Sequence, residues 1–403
     1  MKNKYMPFKF LYFLCFTTMV LLTSSCGKNS INLKDIPYDY NAKISGSLFC
    51  DAGDVILVLA MRPYRDNDFF SQRTYLYEYD KKTGKAEFFC KDATCLHAND
   101  YNDCPSVNVY GHFELADGFI RAFRQRIDLN ATPEMIDAGL LNTSYLCELR
   151  NGKFTDVAGP FSHQSGGFTY RNGGLYAVTP DLSLVYFPNG NYNKPEVIAE
   201  DFISGWFVII DGYLYGSSVS NGYFRFDVNK PENIEYLYEI YGVEKSYDII
   251  SPSASFSLSA YDGEHFYFNR LGHGIYRAPN VGNELTLVLE HNQNNLNITR
   301  ITTDDEYLYY CEREQDLKGN MRQWSDSIYR FKKDLSAPPE LVCRFEVPQA
   351  LTCLYAPPGM DILFLLVNDQ IYFGPGGEIL VQRLYTVNKD GSDFKEIELP
   401  SLF

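Results

Sequence analysis

The densest chemistry in the chain is three thiols and one imidazole: Cys90, Cys95, His97 and Cys104, spaced C-x4-C-x-H-x6-C. Three thiolates and an imidazole make the ligand set of a tetrahedral structural zinc site, and four protein ligands leave no position at which water could be activated. The spacing differs from that of a zinc finger, so a loop would have to gather the ligands. With no Glu placed nearby as a base, a metal here would pin the loop rather than catalyse. Two other chemistries compete. In an oxidising compartment two of the three cysteines could form a disulfide, with Cys50 or Cys147 taking the third, which leaves His97 without a role. Plain thiols are the remaining alternative. Cys311, Cys343 and Cys353 alternate with apolar residues and read as core filler, a common fate of free cysteine; a bridge between Cys343 and Cys353 stays open.

Other catalytic arrangements are missing from the sequence. There is no G-x-S-x-G elbow, H-E-x-x-H pair or phosphate-binding loop. Gly374-Pro375-Gly376-Gly377 reads as a turn. His112, His163, His265, His273 and His291 are scattered without a repeated acidic partner. Asp304-Asp305 could be half of a glycosidase carboxylate pair, but it occupies a turn position of the repeat described below and reads as structural. No catalytic residue is assigned. With only Trp206 and Trp324, a quinone cofactor docked by repeated tryptophans is not expected.

The N-terminus carries a second thiol of interest. Lys2, Lys4 and Lys9 precede an apolar run from Phe10 to Leu22, about 13 residues and short of the roughly 20 that span a bilayer. That is the length of a signal-peptide core. It ends in Leu22-Thr23-Ser24-Ser25-Cys26-Gly27, which resembles the bacterial lipobox. The resemblance implies cleavage after residue 25 and acylation of Cys26, for instance by palmitate, at roughly 0.8 kcal/mol of membrane affinity per buried methylene. Residues 1–25 are then a signal peptide, 26–46 a tether with an edge strand near its end, and 47–403 one folded domain. The expected location is the extracytoplasmic face of a bacterial membrane.

Positioning these groups is the task of a repeated element. The chain has 403 residues, 45% of them apolar and 16% aromatic, with 32 Tyr and 29 Phe. Rings at that density favour half-buried pleated surfaces. A net charge of −15 would repel a phosphate backbone, so no nucleic-acid partner is expected. One marker, a turn pair followed by an aromatic or apolar strand, recurs in order along the chain. It stands at Gly53-Asp54, Asp117-Gly118, Gly173-Gly174, Asp211-Gly212, Asp262-Gly263, Asp305-Glu306 and Gly359-Met360-Asp361. Each is followed by a second strand centred on Tyr, as in Tyr75–Asp80, Tyr223–Asp227 and Leu384–Val387, and then by a polar turn and a short strand. A single small sheet cannot bury both faces. Sheets packed around an axis can, so the expected fold is all-β: a β-propeller of seven four-stranded antiparallel blades, with six or eight open because the end copies are weak. Tandem β-sandwiches are the alternative. Closure by a strand borrowed from a terminus is expected, from Ile44–Phe49 or Lys395–Leu399.

The string Leu384-Tyr385-Thr386-Val387-Asn388-Lys389-Asp390-Gly391-Ser392 resembles the hairpin of low-density-lipoprotein-receptor-type YWTD and TolB-like propeller repeats. Similar repeats occur in a family of uncharacterised bacterial lipoproteins, whose first blade is followed by a Cys-Cys-His-Cys loop like that of Cys90, Cys95, His97 and Cys104. The resemblance implies a binding or scaffold role, with an envelope protein or glycan as ligand and the membrane as partner through the anchor. Insertions at Arg62–Arg73, Gln125–Asn142 and Glu312–Trp324 are the expected rim. A polysaccharide hydrolase or lyase on the same scaffold is the alternative reading.

Overall fold

The aromatic stretches after the turn pairs are β-strands, and they assemble into seven four-stranded antiparallel sheets. In this computed structural model the described residues are 38–44, 48–66, 69–91, 95, 104–106, 109–127, 142–150, 153–161, 167–171, 173–179, 182–200, 202, 207–218, 222–242, 256–270, 272–280, 282–291, 296–318, 321–345, 350–374 and 377–400. Blades 1 to 7 span 49–88, 109–161, 168–199, 207–236, 256–290, 296–344 and 350–397, each built of four strands consecutive in sequence. All seven turn pairs join the first strand of a blade to its second. Asp117 and Gly118 have φ of 51° and 78°, and Asp211 and Gly212 of 50° and 82°. Two positive values in succession define the I′ turn that suits a two-residue hairpin.

Seven apolar clusters lie between consecutive blades, and the last of them joins blade 7 to blade 1. The sheets therefore form one ring, a seven-bladed β-propeller. Packing between blades is continuous, which excludes tandem sandwiches. Central strands are buried on both faces, so they read as unbroken apolar runs rather than alternations: Ile56–Ala60 and Leu363–Val367 are 0% exposed throughout. Each such Leu, Ile or Val contributes about 1.5–3 kcal/mol by burial.

The ring closes differently from the expectation. No strand is exchanged: Phe49–Asp51 is the first strand of blade 1, and Lys395–Ile397 is the fourth strand of blade 7, each paired within its own sheet. Ile44 belongs to a short helix, Tyr40–Ile44, which contacts the first strands of blades 2, 4 and 5. First strands of neighbouring blades also approach one another, so they line the axis and the helix lies among them. First-to-second and third-to-fourth connections share one end of the ring, hereafter the turn end. Second-to-third connections occupy the other, the hairpin end.

Candidate functional site

Cys90, Cys95 and Cys104 are brought together: their sulfurs all lie within 4.8 Å of one another. Cys104 is buried, and Cys90 and Cys95 are half-buried. The backbone that gathers them is fixed at two points. Leu76 N–H donates to the Ser106 carbonyl (2.8 Å), so 104–106 lies alongside the third strand of blade 1, beyond the end of the fourth. Cys90 N–H donates to the buried Ser106 Oγ (2.6 Å). Burial pushes the Cys104 thiol well above its usual range, with Cys95 and Cys90 adding to the rise. A bound cation would offset that cost by holding the sulfur as thiolate, its proton passing to solvent. His97 lies outside the described residues, as does Cys26.

The disulfide partners considered from sequence are elsewhere. Cys50 and Cys147 belong to the core between blades 1 and 2, whereas the trio packs on the blade 7 side of blade 1. Cys147 donates to Asp156 Oδ1 at 3.0 Å. All the described cysteines are free. Cys311 and Cys353 are core filler as expected, with burial pushing the Cys311 thiol up to about 12. Cys343 is half-buried in the fourth strand of blade 6, and Cys353 stands in the first strand of blade 7; the two strands are not neighbours in a sheet, and no bridge joins them.

The axial channel is occupied by the chain itself. Tyr38 Oη donates to Glu114 Oε1 (2.9 Å), which also accepts from Thr169 Oγ1 (3.0 Å) and Tyr170 N–H (2.7 Å). Lys43 pairs with Glu114 Oε2 at 3.4 Å and donates to the Phe168 carbonyl; both side chains of the pair are fully buried. Burial lowers the Lys43 ammonium, and Glu114 opposes that fall. Asp39 accepts from Tyr355 Oη (2.8 Å), and Asn41 Oδ1 accepts from Tyr261 N–H (2.9 Å). Arg171 stacks on Tyr38, and Ile44 joins the core of blades 4 and 5. Residues 38–44 thus bind the first strands of blades 2, 3, 4, 5 and 7. Sequence reading placed them in a tether, and only a charge with a distant partner distinguishes them.

At the turn end a four-residue latch joins neighbouring blades. Asp304 sits before the second strand of blade 6; its Oδ1 accepts from Glu306 and Tyr307 N–H (2.9 and 2.7 Å). Its Oδ2 accepts from Tyr309 Oη (2.9 Å) and lies 2.6 Å from Lys389 Nζ of blade 7. Arg330, cross-strand from Tyr309, donates to the Lys389 carbonyl (2.7 Å). Blade 5 repeats this with Asp262, Tyr267, Arg277 and Lys333 of blade 6. Burial raises both carboxyls, yet the lysines and backbone N–H groups, with Tyr267 at Asp262, outweigh it and hold Asp262 and Asp304 below their ordinary value. Asp304 occupies the turn position read from the repeat, with every contact above made to the two neighbouring blades. An open hollow of about 750 Å³ between blades 6 and 7 borders it, lined by Asp305, Asp361, Asp390 and their neighbours.

The hairpin end is built otherwise. Val55–Asp66 pairs with Phe69–Asp80, and Tyr307–Lys318 pairs with Met321–Lys332, along their whole lengths. Two of the expected rim insertions are therefore paired β-hairpins over their described residues. The third is paired only as far as Ile127 with Asn142, and 128–141 lie outside the described residues. Sequence reading missed a further hairpin, Ile362–Gly374 with Gly377–Asn388, whose Gly374–Gly377 turn was visible but whose flanks were not read as one pair. At the base of the blade 6 hairpin, His291 Nδ1 lies 3.8 Å from Glu312 Oε1. Burial raises the Glu312 carboxyl, with His291 opposing.

The chain is a seven-bladed propeller, and solved structures of similar fold are known. Two acylaminoacyl peptidase structures, one from Pyrococcus horikoshii, match at TM-scores of 0.51 and 0.50 with 9% identity, covering 90% of this chain and 54% of theirs. The chain spans about half the length of those peptidases. Oligogalacturonate lyase from Vibrio parahaemolyticus matches at a TM-score of 0.43 with 11% identity, covering 85% of this chain and 86% of that one. BamB from Moraxella catarrhalis matches at 0.37 with 12% identity, over 78% and 83%. The two peptidase likenesses concern the fold alone. No protein-family model matches the chain, and no curated protein does.

Proposed function

We propose that the protein is an extracytoplasmic binding module, anchored to a bacterial membrane through acylated Cys26, whose ligand is an envelope protein or glycan. The observation that supports this most is the unequal use of the two ends. The channel is filled by residues 38–44, while blades 6, 7 and 1, consecutive in the ring, carry long paired hairpins at the opposite end. Paired strands are stiffer platforms than loops, so little ordering entropy opposes association. Zinc held by Cys90, Cys95, His97 and Cys104 would have a structural part in this reading, fixing the connection after blade 1.

Two experiments test it. Cys26→Ala should release the protein from membranes into the soluble fraction, whereas an unchanged distribution would count against the anchor. Replacing residues 64–71 by a two-residue turn should abolish binding to envelope glycans or proteins found by array and cross-linking, with the ring still folded. A polysaccharide hydrolase or lyase is the second reading, favoured by the His291–Glu312 pair at the hairpin end, where a carboxyl raised by burial could serve as an acid. Turnover of a glycan that is lost in Glu312→Gln would establish it instead.

A further inference from the structure

The seam between blades 7 and 1 is the one that no chain connection crosses, and among the described residues it lacks the latch found at seams 5–6 and 6–7. Blade 7 has Gly359 at the place of Asp304, three residues before the second strand. It has Phe364 at the place of Tyr309 and, cross-strand from it, Thr386 at the place of Arg330. Thr386 Oγ1 is buried with no hydrogen-bond partner among the described residues. Lys81 follows the third strand of blade 1 as Lys389 follows that of blade 7, and the N–H groups of both donate to the turn before the second strand. Lys81, however, pairs with Asp51 of its own blade at 2.8 Å. No strand is exchanged either.

What the seam has instead is the thiol cluster. Cys104 shares one apolar core with Tyr355, Phe364 and Leu384 of blade 7 and with Leu399, and Cys90 and Cys95 pack against that core. Tyr77, stacked on Phe88 at 5.0 Å, donates to the Pro400 carbonyl at 3.2 Å. Further polar ties among the described residues are Met61 N–H to Gln382 Oε1 (2.8 Å) and Arg62 to the Gln382 carbonyl (3.1 Å), both at the hairpin end. The sulfurs, within 4.8 Å of one another, need only a small convergence to reach the roughly 3.8 Å separation that ~2.3 Å bonds to one tetrahedral zinc require.

We infer that Cys90, Cys95 and Cys104 bind a soft divalent cation of the zinc class that clasps the seam between the first and last blades, standing in for strand exchange and for the missing latch. The inference rests on the zinc reading above and gives it a place in the architecture. On binding, each thiol passes its proton to solvent and the sulfur lone pair goes to the ion; no redox step is involved. Because the three sulfurs pack on a core shared by blades 1 and 7, an ion that fixes them there would favour the closed ring.

The test uses the whole mature chain with cobalt(II) and zinc(II). One equivalent of cobalt should give a thiolate-to-metal charge-transfer band, abolished in Cys90→Ser and in Cys104→Ser. Hydrogen exchange should then slow by about tenfold or more in the third strand of blade 1 and in residues 382–388 of blade 7 when metal is added, and revert on chelation. Chelation of the wild-type chain gives the same readout should the variants fold poorly. Absence of the band, or a disulfide among the three found by alkylation and mass spectrometry in metal-loaded protein, would overturn the zinc reading and the clasp together. One bound equivalent with slowing confined to residues 89–106 would overturn the clasp alone and leave the metal site standing.

Discussion

Seams 6–7 and 7–1 join similar blades by different means. At the first, Asp304, Tyr309, Arg330 and Lys389 knit two turns into one polar unit. At the second the equivalent positions are Gly359, Phe364 and Thr386, Lys81 has turned back to Asp51, and a thiol cluster packs on the core. Blades 6 and 7 are also joined covalently, so their latch refines a contact that the chain already enforces. Blades 7 and 1 meet only if the whole ring forms. A turn-end carboxylate is a short-range device, whereas a multidentate centre can hold three points of a long connection at once.

The largest perturbation should act on both seams through the axis. Glu114→Ala leaves Lys43 buried without its counter-charge, and breaking such a pair costs about 3–5 kcal/mol. Denaturant melts should register that loss, with exchange rising at both seams; Glu114→Leu combined with Lys43→Met should recover much of it. Asp304→Ala should separate the seams. It strands Lys389, Tyr309 and two backbone N–H groups, a cost of about 1–3 kcal/mol. Exchange should then rise at seam 6–7 and not at 7–1.

Acid should make the same separation. Because the folded Asp262 and Asp304 carboxyls sit below their ordinary value, their contribution is complete above the unfolded value of about 3.9 and is lost as pH falls through the folded one. Melts taken between pH 5 and pH 2 should show a slope that flattens in the Asp262→Asn, Asp304→Asn double variant, to about the degree that two groups allow. Gly391→Ala should weaken seam 6–7 by about 1–2 kcal/mol, because Gly391 has a φ of 89° and a Cβ would meet the Val342 carbonyl at 2.6 Å.

Much of this architecture can be read in the residues. Each turn pair precedes a buried strand because two-residue hairpins demand residues tolerant of positive φ, and Asp-Gly supplies them. Tyr at the centre of third strands recurs because rings fill the wedge between blades that diverge from an axis. The count of seven units and the turn role of Asp304 follow from that spacing. The axial segment could not be read. Tyr38, Asp39, Asn41 and Lys43 look like a solvated leader, and burial of Lys43 depends on Glu114, far away in sequence. The hairpin of blade 7 was obscured by its own apolarity, since Ile371, Tyr372 and Phe373 carry no polar break to mark where the ring ends and the extension begins. The exchange of a latch for a thiol cluster was equally hidden, because the two occupy different parts of the blade and only the ring brings them to one seam.

The short helix on the axis also decides how the molecule bears load. A pull on the chain ahead of Tyr38 would reach the first strands of five blades through the contacts of residues 38–44, so no single sheet would be peeled from its edge. Tension applied there would be shared around the hub before it reached the outer strands.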